Sequence, residues 1–179
     1  MPADGFARIE IRLRELAQLF NSMDPSPFID RDLDDDAERF IVSWARELPT
    51  EQEFELVLHL ATAPHSDRSA GVEAAVQHYF ANRAEMKRRE FRLLLRHGRL
   101  SLLVGLSFLT LCLLLGQAVQ SLGPTTINTV VKESLAIGGW VAMWRPLQIY
   151  LYDWWPLREE LRVLERLGRM RVQVEVPAA

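Results

Sequence analysis

The sequence predicts an α+β membrane protein: a two-helix transmembrane hairpin attached to a small cytosolic mixed β-sheet with flanking helices. Three observations predict it. No Asp, Glu, Lys or Arg occurs from Leu100 to Val131, although 25% of the 179 residues are charged. Cations crowd the sequence before this run and again after the second apolar stretch that follows it. Elsewhere, three short segments alternate apolar and polar residues with period two, as strands with one face on a core do.

The first strand is expected at residues 8–13, with Ile9, Ile11 and Leu13 on one face. Ile9, Leu13, Leu16 and Phe20 also fit helical spacing, so a single helix over 7–21 is the alternative. The strand reading is preferred, followed by a short helix over 15–21. A Pro/Asp-rich loop then spans Ser22 to Asp32. A helix is predicted from about Asp34 to Glu47, stopping before Pro49. Carboxylates in its first turn favour the helix dipole, and Phe40, Ile41 and Trp44 form its apolar stripe. The second strand covers 54–60, with Phe54, Leu56, Leu58 and Leu60 on one face. After a loop over 61–69, a long helix starts near Gly71 and runs into the first span.

Residues 1–99 form the cytosolic α/β part with its juxtamembrane helix. The first span is 100–122, about 34 Å of helix and apolar on every side, enough to cross a bilayer core. Gly123-Pro124 breaks it. An external loop is expected over 123–133 and a second span over 134–155, closed by a cluster of Tyr150, Tyr152, Trp154 and Trp155. Residues 156–179 return as a helix ending at Gly168 and a third strand at 170–176, which joins the first two.

Orientation follows from charge. Lys87, Arg88, Arg89, Arg92, Arg96 and Arg99 precede the first span, and Arg158, Arg162, Arg166, Arg169 and Arg171 follow the second. The connection holds only Lys132 beside Glu133. Cations mark the cytosolic side, so both termini are expected in the cytosol of a multi-pass inner-membrane protein. Cys112, the one cysteine, lies in the apolar run and excludes an intrachain disulfide. The N-terminus lacks the apolar core of a secretory signal.

Ile11-Arg12-Leu13, Gln18-Leu19-Phe20-Asn21-Ser22, Asp24-Pro25-Ser26-Pro27-Phe28 and Asp32-Leu33-Asp34 together carry a resemblance. This block resembles the start of uncharacterised small bacterial membrane proteins with a two-pass hairpin. The likeness covers the N-terminal fifth in sequence and the rest in layout. It implies a bacterial inner membrane and brings no activity, ligand or site residue.

Few residues point to chemistry. Arg145 lies inside the second span, where an arginine marks a pairing or functional site, or else snorkels toward the headgroups. Ser134, Gly138 and Ala142 recur every four residues and offer a small-residue face for another helix. Asp24, Pro25, Pro27 and Phe28 form a stiff loop whose ring docks either into its own core or onto a partner. The run Asp30, Asp32, Asp34, Asp36 has calcium-loop alternation but lacks the glycine and terminal glutamate, so helix capping explains it better. Glu55 and His59 share the polar face of the second strand, while His65 and His78 lie apart, and no pair has metal-ligand spacing. No nucleophile elbow, phosphate loop or dinucleotide fingerprint occurs. No metal, cofactor or nucleic-acid ligand is expected; beside a span, the basic run reads as contact with anionic lipid headgroups.

The leading expectation is a non-catalytic membrane protein that serves as a scaffold, assembly factor or regulatory subunit, as a homo-oligomer or with other membrane subunits. The alternatives are an oligomeric channel or transport component, and a lipid-modifying enzyme using Asp24 or Asp32.

Overall fold

A computed structural model describes residues 6–49, 52–62 and 69–176. Most of the loop expected at 61–69, with His65, lies outside the described residues. The protein is mixed α/β and divides into two compact units, Met1–Arg88 with Glu159–Ala179, and Arg89–Arg158.

The first unit is built on three strands, β1 (Phe6–Leu13), β2 (Glu53–Leu60) and β3 (Arg171–Glu175), in that order across the sheet. Both pairings are parallel, from Phe6 beside Glu53 to Leu13 beside Leu60, and from Glu55 beside Arg171 to His59 beside Glu175. The expected mixed sheet is therefore corrected to an all-parallel one. The reason lies in the connections, since parallel neighbours need long crossovers and both links here contain helices. The first link is α1 (Asp35–Glu47). The second runs through α2 (Ser69–Ser121), the whole second unit and α5 (Trp154–Leu167). The third strand does join the first two, although more than a hundred residues separate it from β2.

One hydrophobic cluster fills the space between the sheet and these helices. Ile9, Leu56 and Leu58 meet Ile41 and Ala45 of α1, Val72, Val76 and Phe80 of α2, and Leu164 and Leu167 of α5. Asp34 caps α1, its carboxylate accepting from the Asp36 amide at 3.0 Å and the Ala37 amide at 3.4 Å. The α1 stripe differs from expectation. Ile41 and Ala45 are buried, whereas Phe40 and Trp44 point outward with their rings 6.0 Å apart. The helix expected at 15–21 shrinks to one 3-10 turn, Leu16–Leu19, which buries both leucines.

In the second unit α2 continues unbroken to Ser121. Among the described residues it is the one helix long and apolar enough to cross a membrane. Gly123, at φ +140°, makes the turn, and the Asn128 side chain donates to its carbonyl at 2.7 Å. Thr125 caps α3 (Thr126–Ala142), so helix begins well inside the segment expected as an external loop. The stretch expected as one span is segmented into α3, α4 (Trp144–Gln148), a π-helical turn (Ile149–Asp153) and the start of α5. Pro146 explains the first break: it has no amide to donate to Ala142, four residues back, where α3 ends.

The two helical stretches lie side by side and antiparallel. A Cβ added at Gly98 would meet Ile149 at 2.9 Å, and one at Gly105 would sit 3.1 Å from the freed Ala142 carbonyl. Gly139 packs directly on Leu109 and Cys112, and Gly116 on Lys132. Glycines thus set the closeness of this pair along its whole length.

Candidate functional site

Arg145 lies in the first turn of α4 and is exposed, its Nη1 3.5 Å from the Asp153 carboxylate and 3.4 Å from the Gln148 side chain. In a regular helix a residue eight positions on lies about 80° round the axis. The π-helical turn between them takes up an extra residue and brings Asp153 back beneath Arg145. The charge that the sequence leaves alone in an apolar stretch is thus within ion-pair reach of a carboxylate at the aromatic end. Around that end, Trp154 Nε1 donates to the Tyr150 carbonyl at 2.8 Å, and the Arg158 guanidinium lies 5.5 Å from the Trp154 ring centre.

The small-residue face behaves differently from its neighbour. Ser134 and Gly138 are exposed, and a Cβ at Gly138 would meet nothing within 4 Å. Ala142 is half-buried. Gly139, one position on, is the residue pressed against α2, since a Cβ there would lie 2.8 Å from Leu109.

The Asp24–Phe28 block is the start of a closed loop. Asp24 accepts from the Ser26 amide at 2.9 Å and from the Asp32 amide at 2.7 Å, joining both ends of the loop. The Asp32 amide, then Ser26, holds the Asp24 carboxyl below its ordinary range. The Asn21 amide donates to the Asp32 carbonyl at 2.8 Å, and Phe20 bridges Leu33 at the neck. Pro25 and Pro27 are exposed, and Phe28 turns inward, its ring 4.9 Å from that of Phe20 and against Gly71. The ring sits in its own domain.

The acidic run is dispersed among other tasks. Asp30 lies 3.3 Å from His78, Asp34 caps α1, and Asp36 pairs with Arg39. Among the described residues no group of three His, Cys, Asp or Glu side chains could hold a metal ion.

One polar cluster escaped the sequence reading, as did the partners of Glu55 and His59 in a second. Glu38 of α1 accepts from Tyr79 Oη at 2.8 Å and from Nε and Nη2 of Arg83 at 2.9 and 2.7 Å, joining α1 to α2. Burial and the Glu38 bond push the Tyr79 phenol well above its ordinary pKa.

The second cluster crosses the sheet face opposite the core. Glu55, at 3% exposure the buried charged residue of the chain's described part, accepts from Arg8 Nε and Gln173 Nε2, each at 2.8 Å. Two rows on, beyond Val57, His59 lies between Glu10 at 3.5 Å and Glu175 at 3.2 Å. Side chains from the edge strands thereby cover the central one, and even outward-facing Val57 is buried. The alternating Arg8, Glu10 and Arg12 are the sequence signal for this face; the partners on β2 and β3 become visible only with the register.

No family model, curated protein or solved structure matches the chain.

Proposed function

We propose that this is a non-catalytic integral membrane protein that holds its α/β unit on the cytosolic side of the inner membrane, as a scaffold, assembly factor or regulatory subunit. One observation carries the reading. β2 precedes the apolar helices and β3 follows them, yet the two are hydrogen-bonded neighbours. If α2 crosses a bilayer once, the chain must cross back before β3 can pair. The antiparallel stretch through α3 and α4 is the return path, and the pair is a transmembrane hairpin with both termini in the cytosol.

The pairing register supports a definite depth. Gly98 lies beside Ile149 and Tyr150, and Gly116 beside Lys132. The uncharged, leucine-rich band of α2 between these levels, Leu100 to Leu115, is about 24 Å long, somewhat under the ~30 Å of a typical hydrocarbon core. Lys132 and Arg145 stand near its two margins, where long side chains reach outward to the headgroups. The basic residues flanking the spans then face anionic headgroups on the cytosolic side. The exposed Ser134–Gly138 face is left for a second copy or another membrane subunit.

Reporter fusions test the topology. A cytosol-active reporter should work at either end of the chain, and an exported phosphatase should work only when inserted after Gly123. Phosphatase activity from a fusion at the C-terminus would overturn the hairpin, as would a folded, dispersed chain in buffer without detergent. Crosslinking in native membranes identifies the partner; recovery of the chain only as an uncrosslinked monomer would remove the scaffold role.

A further inference from the structure

The three parallel strands finish level with one another, Leu13 beside Leu60 and His59 beside Glu175. Side chains from all three strands therefore converge at this carboxyl-terminal edge of the sheet. That edge of this sheet carries a cleft of about 320 Å³. Its walls are Arg12 and Leu13 of β1, His59 and Leu60 of β2, and Glu175 and Val176 at the end of β3. The volume falls at the small end of small-molecule sites, roughly 300–1,000 Å³.

The polar groups on this face are not equally engaged. Arg8 and Gln173 close on Glu55, the Arg171 guanidinium lies over the Phe6 ring, and Glu175 holds His59 Nδ1. Arg12 differs. It is exposed at the cleft, its register partner is His59 rather than a carboxylate, and among the described residues no hydrogen bond or ion pair engages it. An arginine fork with all its donors open is suited to a planar carboxylate. Half-buried Leu13 and exposed Val176, at the ends of β1 and β3, supply apolar wall. Glu10 and Glu175, on either side of His59, make the site unfavourable for a multiply charged anion.

We propose that this cleft binds a small amphipathic monocarboxylate, its head on the Arg12 guanidinium and its apolar body against Leu13 and Val176 at the strand ends. The site belongs to the α/β unit and does not depend on the membrane reading. It would give the domain a ligand to sense at the strand ends, immediately before the connection into α2.

Isovalerate is a suitable probe, being branched, singly charged and poorly retained by lipid. Titrated into the full chain in lipid nanodiscs, it should give saturable shifts of the Leu60 and Ala61 amides with a Kd on the order of millimolar. Arg12→Gln should abolish saturation. Arg12→Lys, which keeps charge but loses the fork, should weaken binding about 3- to 10-fold. Arg169→Gln, outside the cleft, should leave it unchanged. The proposal fails if the shifts stay absent or linear to ~20 mM, if Arg12→Gln binds as well as the native chain, or if inorganic phosphate binds as tightly as isovalerate.

Discussion

The two units are both rich in leucine and treat it in opposite ways. In the sheet unit Leu56, Leu58 and Leu60 are at most 1% exposed, while charges occupy the surface. In the helical unit Leu103, Leu111 and Leu114 are 65%, 52% and 59% exposed. Soluble monomers rarely present contiguous apolar patches above a few hundred Å². The difference teaches that the two regions suit different surroundings, as the proposed membrane placement of α2 requires. Water drives the first core together by the hydrophobic effect. On the membrane reading proposed above, the second pair would gain little from that effect in lipid, and close backbone approach at Gly98, Gly105, Gly116 and Gly139 would take its place.

The sharpest way to break this contrast is to make one substitution in both places. Leu56→Ala should destabilise the sheet unit by about 2–5 kcal/mol, because it empties a site with no solvent to refill it. Leu114→Ala, facing outward, should change stability by no more than ~0.5 kcal/mol in nanodiscs. Thermal unfolding of both variants in lipid decides the matter. Equal losses would mean that protein, not lipid, surrounds Leu114.

The next largest effect concerns neighbouring glycines. Gly139→Leu must push Leu109 and Cys112 away from their present positions and should cost about 1–3 kcal/mol of helix pairing. Gly138→Leu enters open space and should leave the pairing intact. Disulfide crosslinking between cysteines placed at Gly116 and Lys132, with Cys112 replaced by Ala, reports the pairing in each background. Loss of crosslinking in Gly138→Leu would show that the assigned contact face is rotated.

A third comparison sits within the sheet unit. Glu55→Ala removes the acceptor of both Arg8 and Gln173 and should cost about 1–3 kcal/mol in the urea midpoint. Glu10→Ala, on the exposed end of the same face, should stay within ~0.5 kcal/mol. A reversed ranking would refute the role given to the buried carboxylate.

Much of this contrast was legible in the residues themselves. Strands announce themselves by period two because alternate side chains face opposite sides, and β1, β2 and β3 all lie within a residue or two of the expected positions. Asp34 and the long apolar run likewise declare a cap and a helix continuous from the core to Ser121. What periodicity cannot convey is rotation and pairing. Phe40, Ile41, Trp44 and Ala45 span two adjacent sides of α1, and only packing decides that the smaller pair faces inward. Gly138 and Gly139 are equally small, and the four-residue spacing with Ser134 and Ala142 favours the wrong one of the two for the intrachain contact. Strand direction depends on how the long crossover returns, which no local pattern encodes. The cleft around Arg12 needs the termini of three strands brought together from distant parts of the chain.

The smallest expected effect separates the polar join of α1 and α2 from the apolar contacts around it. Tyr79→Phe removes one hydrogen bond to Glu38 and keeps the ring, so the loss near neutral pH should be about 0.5–1.5 kcal/mol. Its pH dependence carries a definite sign. Burial and the Glu38 bond raise the folded-state phenol pKa above the unfolded value near 10. The folded state therefore retains a proton that the unfolded chain releases. The stabilisation from Tyr79 is complete below about pH 10 and declines as pH rises beyond it toward the folded-state value. Other groups also titrate in that window, so the informative quantity is the difference between native and Tyr79→Phe chains. Urea midpoints should be separated at pH 8 and converge above pH 10. A separation that stays constant across that range would mean the phenol is not held by Glu38, and that Arg83 alone makes the polar join of α1 to α2.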